Sequence, residues 1–156
     1  MTRPVAISCV ITVGLFASIL FAAALAISPS LRLLDGAQYL LVKQAQIRIL
    51  QVSMTIISSI YSALAVWLLV LERKQKSRPL FRLTAASLVL ITVALLYSIP
   101  TDIAYNQQIL AWLTPPADWA SVRDDWDFAN RVRAVPSLMA FVLQTVALLY
   151  LNPKSA

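Results

Sequence analysis

Uncharged, mostly apolar residues run in four long blocks along this chain, at positions 5–27, 49–71, 83–101 and 134–153, and none contains Asp, Glu, Lys or Arg. With a rise of about 1.5 Å per residue, a helix of about 20 residues crosses a hydrocarbon core about 30 Å thick. Lipid offers no partner to a backbone N–H or C=O, so each block predicts a transmembrane α-helix that satisfies its own. The expectation is all-α: an integral membrane four-helix bundle forming one domain over 1–156, with a short helical extension on the non-cytoplasmic side.

The polar positions carry a second pattern. Thr114-Pro115-Pro116 breaks the chain, and Asp118 is expected to cap a helix that starts near Trp119 and runs into the fourth block. Along it Trp119, Arg123, Trp126, Asn130, Arg133 and Ser137 recur at alternating steps of 4 and 3, and Gln144 continues the series. At about 100° per residue these share one narrow stripe. On the second helix Gln44, Arg48, Gln51, Thr55, Ser58 and Ser62 repeat in the same steps, sinking from outside toward the bilayer middle. Ser98, Thr101, Asp102 and Asn106 end the third span at the same outer level. Polar side chains at that depth are costly unless they face a partner or a wet cavity. The pattern therefore predicts a polar pocket in the outer half, walled by the second, third and fourth helices. Pro136, about one turn below Arg133, frees the carbonyl of Val132 and is expected to bend the fourth helix near the pocket mouth.

Charge sets the orientation. The loop 72–82 carries Arg73, Lys74, Lys76, Arg78 and Arg82, which the positive-inside rule places in the cytoplasm together with Arg3 and Lys154. Both termini are then cytoplasmic. Topology accounts for the net charge of +6; it is no sign of nucleic acid binding, although the loop also suits anionic lipid. Arg3 before an apolar run ending in Ala24-Leu25-Ala26 has the outline of a signal peptide, but the run exceeds a usual signal core and is read as a retained helix.

Composition narrows the chemistry. Hydrophobic residues make up 60% of the chain, more than a soluble domain carries. A single Cys, Cys9, excludes an internal disulfide or paired-thiol redox centre. With no His, bis-histidine haem, zinc hydrolysis, a Ser-His-Asp triad and the two-His-one-carboxylate iron site are out of reach. Asp124, Asp125 and Asp127 point in different directions around a helix, so no metal site is expected. Only Gly14 and Gly36 are glycines, leaving neither a phosphate-cradling loop nor a Gly-x-x-x-Gly packing motif.

Several of these residues have plainer readings. Trp112, Trp119 and Trp126 fit an aromatic belt with Arg123, Arg131 and Arg133 snorkelling to headgroups, and Trp112 is assigned there. An amide such as Asn130 has no place in a belt, which favours an inward network for Trp126, Asn130 and Arg133. Asp102 has a structural reading as ion-pair partner of Arg133 or Arg48, and Thr55, Ser58 and Ser62 as helix-packing residues.

Pro29-Ser30-Leu31 after the first span, Gln44 or Gln51 in the second, Asn106 past the third and Trp126-x-x-x-Asn130-x-x-Arg133 entering the fourth span nearly the whole chain. In these features the chain resembles the anthrone oxygenase-like family of small four-span membrane proteins, most of them bacterial. The resemblance implies a cofactor-independent oxygenase in the bacterial inner membrane that converts an anthrone, a hydrophobic aromatic small molecule, to the anthraquinone. In that scheme Arg133 and Asn130 stabilise an enolate oxygen, Trp126 stacks on the substrate, and Asn106 or Gln51 orients it, with Arg48 nearby on the same stripe as Gln51. With no His, Asp102 or a water activated by it is the nearest proton acceptor. Two other classes stay open: a non-catalytic accessory subunit of a larger energy-transducing or pigment-bearing membrane complex, docking on other subunits through the apolar faces of its first and third helices, and a small transporter or channel. The absence of charge from the inner half of every span disfavours the last.

Overall fold

The computed structural model describes residues 2–76 and 78–151. Four helices are long and apolar enough to cross a membrane: α1 (Thr2–Leu31), α2 (Gly36–Leu71), α3 (Pro79–Ala111) and α4 (Trp119–Leu149). No strand occurs among the described residues. The helices outrun their uncharged blocks, since α2 takes in Lys43 and Arg48 and α3 continues past 101. An uncharged block marks what lipid demands; backbone hydrogen bonding continues beyond it. Residues 152–153 of the expected fourth span, and Lys154, lie outside the described residues.

Local chemistry sets the helix ends. Asp35 opens α2 with a capping box: its Oδ1 accepts the Gln38 N–H at 2.9 Å, and Gln38 Oε1 accepts the Asp35 N–H at 3.3 Å. Pro79 occupies the first turn of α3, where its missing N–H has no cost. Asp118 stands at the N-cap of α4, but its side chain makes no capping bond. Its backbone at φ −96°, ψ 11° lies outside the extended region from which a cap side chain reaches back, and its carbonyl alone accepts the Ser121 and Val122 N–H groups. The expected side-chain cap is therefore corrected to a backbone one.

Two wide π-turns interrupt the helices, at Ala23–Ile27 in α1 and Ile99–Ile103 in α3. Pro29 follows the first and Pro100 lies in the second; a proline removes a donor and crowds the carbonyl four residues back, which a widened turn accommodates. Both turns lie in the half of the bundle away from the 72–82 loop.

α4 packs along α1 and α3, α1 along α2, and the α2–α3 seam is sparser, leaving α2 and α4 on a diagonal. Lipid tails are as apolar as leucine, so small residues that allow close approach hold such helices together. Ala6, Cys9, Val13 and Ala17 of α1 and Ala134, Ala140 and Ala147 of α4 are buried in this way. At Gly14 an added Cβ would lie 2.9 Å from Phe141 Cε2, so α1 and α4 meet there at glycine distance. Larger apolar side chains such as Ile11, Leu15, Val89, Val93, Val135 and Val142 are more than half exposed and contact lipid.

A buried polar tie closes the half nearer the basic loop. Tyr61 Oη lies 2.5 Å from Ser87 Oγ, Ser87 Oγ donates to the Ala140 carbonyl at 2.8 Å, and Gln144 Nε2 donates to Thr84 Oγ1 at 3.4 Å. Three helices are thus pinned to one another in that half.

Candidate functional site

In the half away from the basic loop the helices part around a cavity of about 510 Å³. α2, α3 and α4 line it as the polar pattern predicts, and α1 adds an apolar wall of Ile19, Leu20 and Ala23, so the pocket has four walls rather than three. It opens along the sparse α2–α3 seam, where the lining residues Thr55, Ser59, Thr92, Leu96 and Ile99 are exposed on the lipid-facing side.

Six of the seven expected site residues meet here: Arg133, Asn130, Asp102, Trp126, Asn106 and Gln51 all line the cavity. Trp126, Asn130 and Arg133 turn inward together because steps of 4 and 3 keep them on one face of α4. Arg133 sends Nε and Nη2 to Asn130 Oδ1, at 3.1 and 2.9 Å, and Nη1 to Ser98 Oγ at 3.3 Å. Its Nη2 also lies 3.4 Å from Oδ1 of Asp102, whose side chain is 1% exposed. The π-turn carries Asp102; Thr101 Oγ1 donates to the Tyr97 carbonyl at 2.6 Å and lies 3.3 Å from Asp102 Oδ2. Of the two ion-pair partners considered for Asp102, the geometry selects Arg133.

Trp126 donates its indole N–H to Asn106 Oδ1 at 2.9 Å, and Asn106 Nδ2 reaches Gln51 Oε1 at 3.5 Å. An indole and two amides therefore link α4, α3 and α2, and the Arg133 guanidinium separately ties α4 to α3. Among the described residues two buried atoms of this set have no hydrogen-bond partner, Asn130 Nδ2 and Asp102 Oδ1. Asp102 Oδ1 is held by its ion pair with Arg133, whereas the Asn130 amide donor is left open on the cavity wall, where buried polar groups are nearly always paired.

Arg48 is not part of this site. It is exposed and lines a shallower groove with Ile47, Val52 and Leu110, on the other side of Gln51. The reason lies in the register of α2: at its outer end the buried face runs through Tyr39, Lys43 and Ile47, one residue ahead of Gln44 and Arg48, whereas Gln51, Thr55 and Ser58 of the predicted stripe line the cavity. Hydroxyls of the predicted stripe satisfy themselves on their own helix, Thr55 on the Gln51 carbonyl, Ser58 on that of Thr55 and Ser62 on that of Ser58.

Lys43 is the residue that pattern reading missed. It is 1% exposed and lines the cavity, with Nζ 2.8 Å from the centroid of the Trp126 ring. Its position was legible only from the spacing Tyr39, Lys43, Ile47, which puts a lysine on the apolar face. Gln44 has a structural role, donating Nε2 to the carbonyls of Ile109 and Trp112 at the end of α3, at 3.0 and 2.9 Å. Trp112 is half-buried and packs beside Leu40, Ile47, Ile109 and Val122. Arg32 engages both Asp124 and Asp127 at 3.2 Å, and no group of three acidic or thiol side chains converges on a metal position among the described residues.

Fold and cavity together define a four-helix integral membrane protein with one polar, lipid-open chamber. Residues 44–143 match the family model described as anthrone oxygenase, and the chain belongs to that family. The matched stretch holds every expected site residue, while Lys43 stands just before it. Neither a curated protein nor a solved structure matches the chain.

Proposed function

We propose that the chain is a membrane-embedded oxygenase that needs no cofactor and oxidises an enolisable aromatic ketone of the anthrone type with O₂. The observation that carries this reading is the buried Arg133–Asn130–Asp102 set, with an open amide donor beside an ion-paired carboxylate on the wall of a lipid-facing cavity.

The methylene of an anthrone is acidic because its anion is a delocalised enolate. Asp102 accepts one methylene proton, and the developing oxyanion is held by Asn130 Nδ2 within the positive field of Arg133. The electron-rich carbon forms a C–O bond to O₂, and return of the proton gives a hydroperoxide. Loss of the second C–H proton with cleavage of O–O yields the new carbonyl and one water, so CH₂ plus O₂ becomes C=O plus H₂O. Trp126 and Asn106 form a flat, fixed wall, and Gln51 stands at the mouth. Entry from the bilayer through the α2–α3 seam suits a hydrophobic substrate. With the 72–82 loop in the cytoplasm, the chamber lies in the outer half of the membrane.

The test is O₂ uptake and anthraquinone formation by purified protein in nanodiscs supplied with an anthrone, measured against the spontaneous rate in empty nanodiscs. Uptake above that background, lost in Arg133→Ala with helicity retained, is expected. A rate equal to the background would overturn the reading, and recovery of the protein from mild detergent only in a stoichiometric larger complex would favour a subunit role.

A further inference from the structure

Lys43 has no part in the chemistry above, yet it is the most costly side chain in the chamber. Its ammonium is buried among helices, where an unpaired charge is expensive. Among the described residues it makes no side-chain hydrogen bond and has no carboxylate within 4.0 Å. The two buried carboxylates of this half are engaged elsewhere, Asp102 with Arg133 and Asp127 with Arg32. What Lys43 does have is the face of Trp126, an attraction that offsets part of the desolvation and fixes the ammonium across the α2–α4 diagonal.

Arg133 is in the opposite condition. Three of its nitrogens already point at Asn130, Ser98 and Asp102. That leaves the chamber with one cation free of any side-chain acceptor, Lys43, and one fully buried amide donor without a partner, Asn130 Nδ2, which is borne one helical turn from Trp126. Both lie on the wall of the same cavity, and one stands against the ring that forms its flat side.

We propose that Lys43 Nζ and Asn130 Nδ2 form the seat for an anionic oxygen, so that the chamber selects flat aromatic ligands bearing a phenolate or enolate over neutral ones of the same shape. Arg133 is then a positioning residue that holds Asn130 and balances Asp102, and Lys43 is the group that touches the oxyanion. This rests on the oxygenase reading for its substrate but not for the seat itself. Because the ammonium covers one face of Trp126, the ligand meets the ring at its other face or edge.

The experiment uses a hydroxyanthraquinone dye whose phenol and phenolate differ in colour, titrated into full-length protein in nanodiscs, with unsubstituted anthraquinone as the neutral probe. Wild-type protein is expected to bind the dye as its phenolate, shifting its absorbance to the ionised band. Lys43→Met should weaken dye binding at least tenfold and abolish the colour shift while weakening anthraquinone binding much less, and Lys43→Arg should restore part of the dye binding and the shift. A wild-type protein that binds dye without the colour shift overturns the seat without any variant. Lys43→Met with wild-type discrimination overturns it as well. Discrimination without O₂ uptake from an anthrone would keep the seat and remove the oxygenase reading, so the two fail separately.

Discussion

Trp126 donates its indole N–H to Asn106 Oδ1 at 2.9 Å, a bond between α4 and the far end of α3 that closes one side of the cavity. The bond fixes a ring that lines the cavity and carries Lys43 Nζ over its face. Asn106→Leu removes the acceptor and leaves a buried donor unpaired, at a cost of about 1–3 kcal/mol. Thermal unfolding in detergent should show that loss, and tryptophan emission from the variant should shift to the red as the ring loosens.

Asn130 is placed as the direct donor to a developing oxyanion. Asn130→Ala is expected to lower the rate of anthraquinone formation by about 10²–10³-fold, the usual effect of deleting one such donor. Its effect on KM should be small by comparison, because the interaction strengthens only as charge develops. Steady-state O₂ uptake across anthrone concentrations checks both.

Arg133 and Asp102 test differently, because each is the other's counter-charge. Removing one partner leaves a buried charge uncompensated and costs about 3–5 kcal/mol. Asp102→Asn and Arg133→Met should each destabilise by that order in reversible denaturation, and the double variant by clearly less than their sum.

Tyr61 separates scaffold from site. Its hydroxyl belongs to the tie with Ser87 in the other half of the bundle, away from the chamber. Tyr61→Phe should cost about 0.6–1.7 kcal/mol, the range for a hydrogen bond between membrane helices. O₂ uptake per folded molecule should be unchanged.

Orientation can be checked with single cysteines in a Cys9→Ser background. Cys9 itself is fully buried, so its replacement removes little reactivity. Lys74→Cys should react with a membrane-impermeant thiol reagent only from the cytoplasmic side. Leu113→Cys, at a position 97% exposed in the α3–α4 connection, should react only from the opposite side.

The helices and half of the chamber were readable from spacing. Trp126, Asn130 and Arg133 could be placed together because their side chains are too polar or too large to be explained by lipid contact, and steps of 4 and 3 fix a common face. On α2 the same logic placed Gln51, Thr55 and Ser58 on the cavity wall but pointed one residue away from the buried face at Gln44 and Arg48. Hydroxyl groups such as Thr55 and Ser62 bond to their own backbone and carry no information about direction, while the exposed Arg48 is free at the surface. The informative residue was Lys43, hidden because a lysine beyond the uncharged block reads as loop charge. The four-walled form of the pocket was not legible either: it depends on how α1 lies against its neighbours, which no periodicity within one helix encodes.

The wide turn at Ile99–Ile103 has a consequence for how such a chamber can change. It decouples two registers within one helix, so that Ile91 and Ala94 keep their seam inside the membrane while Asp102 and Asn106 are aimed separately beyond it. Dropping a single position from that turn would swing everything after it by about 100° and leave the lower helix seated as before. The binding end is in effect a rotatable head on a fixed stem, open to new ligands without renegotiating the bundle that holds it in the bilayer.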